Sequence, residues 1–200
     1  MRRLLIATRN HGKAREIAAV LSDLGLEIVS LADYPGAPEI EETGATFLEN
    51  AVLKARAYAA YTGELTLADD SGLEVDALGG APGVRSSRFA PTDPQRIAKL
   101  LDMMKDVPDG RRSARFRCAI AIAWPDGRVE TCEDSIEGVI AREPKGANGF
   151  GYDPILYLPE MDKHVAELLP HEKNAISHRG KALARTKELL SALAANNAIM

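Results

Sequence analysis

A polar turn near the start of the chain carries side chains that suit a chain of phosphates. The turn holds Thr8, Asn10, Gly12 and Lys13, and it lies between an apolar run at residues 3–7 and a stretch with helical periodicity. Hydroxyl, amide, backbone N–H and ammonium donors at a helix N-terminus favour negatively charged oxygens. The Walker A spacing is absent, so an ordinary polar helix cap is the competing interpretation.

Two pairs of acidic residues could bind a hard divalent cation. Asp69 and Asp70 follow a predicted strand at residues 65–68, and open α/β sheets bind ligands beyond the carboxyl ends of their strands. Glu41 and Glu42 lie in a predicted loop and could supply a second oxygen ligand of the kind that Mg²⁺ prefers. The alternatives are a plain turn and a solvated acidic loop, and the residues alone do not separate Asp69 from Asp70.

An aromatic turn and a basic segment complete the candidate site. Glycines flank Phe150 in the segment 148–154, so its ring is uncrowded and a flat ligand could stack on it. Lys173, His178 and Arg179 lie around a predicted helix start, where cations oppose the helix dipole and a bound ligand would offset that cost. A turn around a core aromatic residue and a solvated basic patch are the competing interpretations.

Predicted strands and helices alternate along the chain, which favours an α/β fold. The 200 residues suffice for a sizeable core, and no repeat or linker interrupts them. We therefore predict a single domain over residues 1–200, with two lobes that share one sheet. The predicted strands lie near residues 3–7, 27–30, 65–68, 116–124 and 129–140, and the predicted helices near residues 14–24, 46–61, 92–104 and 177–195.

Local patterns mark two helix starts and one buried strand. Thr46 with Glu49, and Thr92 with Gln95, have the spacing of a capping box, in which each side chain binds the backbone N–H of the other residue. Within residues 116–124, large apolar residues alternate with alanines, which indicates a strand that is covered on both faces.

The balance of charge and hydropathy limits the possible partners. A formal net charge of -4 disfavours binding to a polyanion such as DNA. No segment approaches the ~20 apolar residues of a membrane span, and the apolar run at the N-terminus is too short for a signal peptide. Cys118 and Cys132 are not at a zinc-ligand spacing. We therefore expect a cytoplasmic protein with neither a nucleic acid nor a membrane as partner.

Taken in order along nearly the whole chain, these segments resemble the inosine triphosphate pyrophosphatase family, also called the non-canonical purine NTP pyrophosphatases. One departure is Arg9, where many relatives carry glycine, and an inward-pointing Arg9 would change the affinity for phosphate. The resemblance rests on six motifs: Ala7-Thr8-x-Asn10-x-x-Lys13; Glu41-Glu42-Thr43-Gly44-x-Thr46-Phe47-x-Glu49-Asn50-Ala51 with Lys54-Ala55; Ala68-Asp69-Asp70-Ser71-Gly72-Leu73; Gly79-Gly80-Ala81-Pro82-Gly83; Gly149-Phe150-Gly151-Tyr152-Asp153-Pro154; and Glu172-Lys173-x-x-x-Ser177-His178-Arg179.

The resemblance implies an elongated central mixed sheet flanked by helices, a cleft between two lobes, and a homodimer. It also implies Mg²⁺-dependent hydrolysis of purine nucleoside triphosphates such as dITP, ITP and XTP to the monophosphate and pyrophosphate, which cleanses the nucleotide pool. Asp70 would be the general base and, together with Glu42, a metal ligand. Donors from His178 and Arg179 would bind the C6 oxygen of the base, which adenine lacks. The residues implied to bind substrate are Thr8, Asn10, Gly12, Lys13, Lys54, Ser71, Phe150, Gly151, Tyr152, Asp153, Lys173, His178 and Arg179.

Two rival functions remain open from the sequence. A Maf-like pyrophosphatase that acts on pyrimidine or modified triphosphates would share the chemistry, although the motifs around Phe150 and His178 argue against it. A non-catalytic nucleotide-binding module would bind without releasing pyrophosphate. The acidic pairs at Glu42 and Asp70 disfavour the module, since carboxylates without a metal repel phosphates.

Overall fold

The structure is a computed structural model that describes residues 3–195, and of residues 193–195 it describes the backbone alone. Within this range a seven-stranded sheet is accompanied by five α-helices. The strands are β1 (Arg3–Ile6), β2 (Glu27–Ser30), β3 (Leu65–Val75), β4 (Ser113–Ala123), β5 (Val129–Ile140), β6 (Leu156–Leu158) and β7 (Lys163–His164). The helices are α1 (His11–Leu21), α2 (Phe47–Thr62), α3 (Asp93–Met103), α4 (Pro170–Ile176) and α5 (His178–Ala195).

The sheet is mixed, as the sequence predicts. Its strand order is β2-β1-β3-β4-β5-β6-β7. Strand β1 pairs in parallel with both β2 and β3, whereas β6 pairs antiparallel with β5 and with β7. Parallel neighbours need a crossover connection, and α1 supplies the one between β1 and β2. The α/β fold class is therefore confirmed.

The chain divides into two compact units. The first unit comprises the residues up to Asp70, residues 118–134 and the residues from Arg179 onward, and the second unit comprises residues 71–117 and 135–178. Each unit has its own apolar core, and the boundary between them falls within β3, β4 and β5. The assignment of residues 1–200 to a single domain remains a prediction.

The core of the first unit packs β1, β3 and β4 against α1 and α5. Strand β4 is buried on both faces here, because its large residues and its alternating alanines are both inaccessible to solvent, which confirms the predicted pattern. Burying one such aliphatic side chain contributes roughly 1.5–3 kcal/mol before entropy is counted. The fully or nearly fully buried members are Leu4, Ile6, Ile17, Leu21, Leu67, Ile120, Ile122, Ala182, Leu183 and Leu190.

Strand β3 extends beyond its predicted end. The sequence predicts a strand at residues 65–68 and leaves a turn at residues 69–72 as an alternative, but β3 continues to Val75. Leu73 and Val75 are fully buried, and Asp69 and Asp70 are buried with them. A buried carboxylate is tolerated in a strand when cations and hydrogen-bond donors surround it.

The two predicted capping boxes have different outcomes. Thr92 and Gln95 form the complete box at the start of α3. At α2 the hydroxyl of Thr46 accepts from the N–H of Glu49, but the carboxylate of Glu49 accepts from the N–H of Ala45 instead of that of Thr46. The predicted box at α2 is therefore only half formed.

The second unit contains a buried arginine that satisfies backbone carbonyls. Arg112 is 3% exposed, and burial lowers the pKa of its guanidinium. The guanidinium donates to the carbonyl oxygens of Met104 at 2.6 Å and Val107 at 3.2 Å, just beyond the end of α3. It also donates to Ile140 at 2.7 Å and Ala141 at 3.1 Å, at the end of β5. Arg112 thus supplies the donors that a helix end and a strand end require.

We predict that Arg112→Met lowers the free energy of unfolding by about 2–4 kcal/mol, because it removes the four hydrogen bonds that the buried guanidinium donates to backbone carbonyls. Arg111→Met is the matched control, since Arg111 is exposed and directly precedes Arg112. Urea denaturation of the two variants measures the difference. Equal stability of the two variants would contradict the structural role assigned to Arg112.

Candidate active site

The turn after β1 is organised around a helix cap. The side-chain oxygen of Asn10 accepts from the N–H of Gly12 at 2.8 Å and of Lys13 at 3.1 Å, and the N–H of Asn10 donates to the hydroxyl of Thr8 at 3.1 Å. The cap holds the start of α1 in a fixed conformation. Because the carboxamide oxygen of Asn10 is committed to the cap, its amide nitrogen is the group suited to a phosphate.

A buried carboxylate in β3 binds the ammonium of this turn. The side chain of Asp69 has no exposed surface, and it forms ion pairs with Lys13 and with Arg179, whose Nε lies 3.1 Å from Oδ2. The thiol of Cys118 donates to the same oxygen at 3.2 Å. Arg179 also binds Glu16 through Nη1 at 2.5 Å. Asp69 therefore links α1, β4 and α5 of the first unit.

The cations around Asp69 decide its protonation. Burial by itself would raise its pKa, but the charges of Arg179 and Lys13 outweigh burial and hold the pKa of Asp69 far below its usual range. Asp69 is therefore ionised near neutral pH, where it binds cations, and it is a poor proton acceptor.

The neighbouring Asp70 has a different environment. Lys54 Nζ lies 2.5 Å from Glu42 Oε1, 2.8 Å from the backbone oxygen of Asp69 and 3.9 Å from Asp70 Oδ1. The carboxylates of Glu42 and Asp70 thus both lie within 4 Å of the ammonium of Lys54. Burial, the largest cause, raises the pKa of Asp70 and Glu42 adds to this, while Lys54 and Lys13 oppose it. A carboxylate with a raised pKa accepts a proton more readily than an ordinary aspartate does.

A buried amide orients Asp70. Asn50 is fully buried; its Nδ2 donates to Asp70 Oδ2 at 2.9 Å, and its Oδ1 accepts from the N–H of Gly44 at 2.7 Å. A Cβ on Gly44 would lie 2.7 Å from that same Oδ1, so a larger residue would displace the contact. Asn50 therefore connects the loop that carries Glu42 to the carboxylate on β3.

The second unit holds the aromatic turn in place with a buried ion pair. Asp153 Oδ2 accepts from the N–H of Phe150 at 2.9 Å and from Lys173 Nζ at 2.7 Å, and both charged residues are less than 5% exposed. Lys173 Nζ lies 4.7 Å from the centroid of the Phe150 ring. Gly149 has φ +77, and a Cβ there would lie 2.0 Å from Asp153 Oδ2, so only glycine fits.

Two more predicted residues of the second unit lie in buried surroundings. The ring of His178, 5% exposed, stacks on Phe116 with centroids 4.9 Å apart. The hydroxyl of Tyr152 donates to the backbone oxygen of Ser86 at 3.0 Å. Tyr152 thus anchors the turn, and His178 is held with its ring plane fixed.

A model of the Ham1 family matches residues 4–189, which is nearly all of the chain. The chain belongs to the Ham1 family. Curated relatives named dITP/XTP pyrophosphatase include that of Desulforamulus reducens, 55% identical over 96% of this chain and 96% of the relative. That of Escherichia coli (strain K12) is 52% identical over 96% of this chain and 98% of the relative. The family resemblance predicted from the six motifs is confirmed.

Solved Ham1 structures have the same fold. A HAM1 protein from Coxiella burnetii is 46% identical and superposes with a TM-score of 0.88 over 96% of this chain and 100% of its own. The Ham1 protein of Staphylococcus aureus, 37% identical, gives a TM-score of 0.86 over 96% of this chain and 99% of its own. Within residues 3–195 of this Ham1 chain, no helix has the length and hydropathy that crossing a bilayer requires.

Arg179 is held by two carboxylates of this Ham1 chain. Its guanidinium binds Asp69 and Glu16, and the residue is 2% exposed. Both partners lie more than 100 residues away along the chain, so no local pattern indicates them. The expectation that Arg179 also donates to a base stays a prediction.

Three residues that contact the candidate site were given no role from the sequence: Glu16, Asn50 and Cys118. Asn50 could have been found, because it precedes Lys54 by four residues and therefore shares its face of α2. Glu16 likewise follows Lys13 by three residues on α1. Cys118 carries no such signal, since it stands in an apolar strand and contacts Asp69 only through the tertiary structure.

We predict that only one thiol of the native protein reacts with Ellman's reagent near pH 8. Burial raises the pKa of Cys118 well above its usual value, Asp69 adds to this, and the thiolate is the reactive form. Cys132 is only partly buried. Unfolding in urea should release the second thiol, and Cys132→Ser should abolish the native reaction. Rapid labelling of native Cys132→Ser protein would contradict the burial of Cys118.

Proposed function

We propose that the chain hydrolyses the non-canonical purine nucleoside triphosphates dITP, ITP and XTP to the monophosphate and pyrophosphate. The observation that carries the proposal is the convergence of the Glu42 and Asp70 carboxylates on Lys54, in the same unit as the capped turn at Asn10. Full-length similarity to relatives named dITP/XTP pyrophosphatase supports the same substrate class.

The donor set of Glu42 and Asp70 fits Mg²⁺. A carboxylate oxygen of each residue already lies within 4 Å of the ammonium of Lys54. Mg²⁺ commonly binds one or two carboxylates together with substrate phosphates and water. Residues 3–195 contain no cluster of three or more potential side-chain ligands of the His, Cys, Asp or Glu type. When bound, Mg²⁺ neutralises charge on the triphosphate and stabilises the pyrophosphate leaving group.

The phosphates are bound by donors of the turn and of α2. Lys13 and Lys54 offer ammonium groups, and the amide nitrogen of Asn10 and the hydroxyl of Thr8 offer neutral donors beside the positive end of the α1 dipole. The backbone N–H of Gly12 belongs to the same helix start. Ser71, next to Asp70, is a further donor.

Asp70 accepts the proton of the attacking water. The hydrogen bond from Asn50 holds the carboxylate of Asp70 in place and fixes the direction in which Oδ1 points. The water oxygen forms a bond to the α-phosphorus while the bond to the bridging oxygen of the β-phosphate breaks. The electron pair of that bond leaves with pyrophosphate.

The base is recognised by the aromatic turn and by two donors at the start of α5. Phe150 stacks on the base, and Gly151, Tyr152, Asp153 and Lys173 hold the ring in place. His178 and Arg179 donate to the C6 oxygen of hypoxanthine or xanthine. Adenine has an amino group at C6, so a donor would meet a donor, and unpaired buried groups of this kind discriminate by up to ~10⁴. Guanine keeps the C6 oxygen, so its exclusion depends on its C2 amino group meeting a donor or a wall.

We also propose that the protein acts in the cytoplasm as a homodimer, with neither nucleic acid nor membrane as partner. The net charge of -4 disfavours a polyanion such as a nucleic acid as partner. Light scattering after size-exclusion chromatography tests the dimer, with a mass near 21.6 kDa contradicting it.

The test of the function is pyrophosphate release from dITP, XTP, dATP, dGTP and dTTP, with and without Mg²⁺. We expect release from dITP and XTP only, and only with the metal. Preference for dTTP would favour the Maf-like alternative. Binding of dITP without release of pyrophosphate would favour the non-catalytic module.

A further inference from the structure

We infer that Asp93 is a positioning residue that holds the base-stacking turn of residues 149–153, an inference that rests on the proposed function. Asp93 is the first residue of α3, and it belongs to none of the motifs from which the family was recognised. Its carboxylate accepts from the N–H of Gly151 at 2.8 Å. This contact joins two segments of the second unit that are 58 residues apart in sequence.

Two carboxylates therefore bind two successive N–H groups of the same turn. Asp153 accepts from Phe150, and Asp93 accepts from Gly151. Both glycines beside Phe150 have positive φ, +77 at Gly149 and +64 at Gly151. Glycine permits many other backbone conformations, so external anchors must select this one. The direction of the Phe150 ring depends on both anchors.

Asp93 is itself held firmly. Its Oδ1 binds Arg96 Nη1 at 2.5 Å, while its Oδ2 binds Gly151, so each carboxylate oxygen has its own partner. The capping box of Thr92 and Gln95 orders the helix turn on which Asp93 stands. A charge-assisted bond from an ordered helix start is a stronger anchor than a bond between neutral groups.

The pair with Arg96 provides a matched control. Arg96 Nε also donates to the backbone oxygen of Ala90 at 2.8 Å, so Arg96 has contacts of its own. If Asp93 only stabilised the helix through Arg96, then Arg96→Gln would reproduce the effect of Asp93→Ala. If Asp93 positions the turn, the effect follows the bond to Gly151 and not the bond to Arg96.

The experiment compares wild-type protein with Asp93→Ala, Asp93→Asn and Arg96→Gln, using dITP and Mg²⁺. Loss of the anchor should raise KM for dITP about tenfold in Asp93→Ala with kcat within about twofold of wild type, because it weakens binding of the base and leaves the reacting groups intact. Asp93→Asn keeps an acceptor oxygen, so its KM should lie between that of wild type and that of Asp93→Ala. Arg96→Gln should keep KM close to that of wild type. The inhibition constant of inorganic triphosphate, which has no base, should be unchanged in every variant.

Each outcome bears on the inference. A KM in Asp93→Ala equal to that of wild type, an equal rise in Arg96→Gln, or weaker inhibition by inorganic triphosphate would overturn the positioning role of Asp93. If wild-type protein itself leaves dITP intact, the proposed function fails and the inference fails with it. If wild-type protein hydrolyses dITP and Asp93→Ala has the same KM, the inference about Asp93 is refuted and the proposed function is not.

Discussion

Asp70→Asn is expected to lower kcat for dITP by about 100- to 10,000-fold, the contribution of a positioned general base. The carboxamide keeps an oxygen that can accept from Asn50 Nδ2, so the side chain stays in place. The carboxamide cannot take a proton from water. The substitution also removes one of the two negative charges that lie beside Lys54. Pyrophosphate release under saturating dITP and Mg²⁺ measures the loss.

The stability of Asp70→Asn separates catalysis from folding. The pKa of Asp70 is raised in the folded protein, so folding favours the neutral form, and the ionised form costs stability near pH 7. The neutral amide should therefore leave the free energy of unfolding unchanged or higher in protein without added Mg²⁺. Asp102→Asn, at a side chain that is 75% exposed, is the control for both measurements. A kcat of Asp70→Asn above a tenth of the wild-type value would contradict the assignment of Asp70 as the general base.

Asp69→Asn is expected to lower the free energy of unfolding by about 3–5 kcal/mol, the usual cost of leaving buried partners of an ion pair without their counter-charge. Arg179 and Lys13 would both lose the carboxylate that neutralises them, and the side chain of Arg179 is only 2% exposed. Asp70→Asn, one residue away, is the matched control, because its predicted change in stability is zero or of opposite sign. Urea denaturation of both variants at pH 7 gives the comparison.

The pH dependence of the free energy of unfolding tests whether Asp69 stabilises the fold as an anion. Its pKa is depressed in the folded state, so its contribution to stability is fully present above the pKa of about 3.9 that an aspartate has in the unfolded chain. The contribution is lost as the pH falls further, through the pKa of the folded state. The gap in stability between wild type and Asp69→Asn should be constant from about pH 5 to 8 and should narrow below about pH 4. A gap that widens on acidification would show that Asp69 is not held as the anion.

Local patterns in the sequence determined most of the regular elements. The strands at β1, β2 and β5 and the helices at α2 and α3 lie within a few residues of their predicted bounds, because periodicity and capping act between neighbours in the chain. The short elements β6, β7 and α4 were not predicted. They have two to seven residues each, which is too short to show a repeating pattern of apolar residues in the sequence.

The tertiary structure decided what each charged residue does. In sequence Asp69 and Asp70 are equivalent, and so are Glu41 and Glu42. In the fold Asp69 forms ion pairs with Lys13 and Arg179, whereas Asp70 lies with Glu42 beside Lys54, and Glu41 is exposed to solvent. The difference arises from burial and from partners on other elements, and no local pattern encodes either.

The sequence by itself thus determined the family and the fold class, and it predicts the segments that carry the chemistry. Only the tertiary structure decided that Arg179 neutralises a buried carboxylate and that Asp93 binds the turn of Phe150. The physical reason is the same in both cases. The energy of a buried charge depends on atoms within a few ångströms, and those atoms come from residues 58 and 110 positions away along the chain.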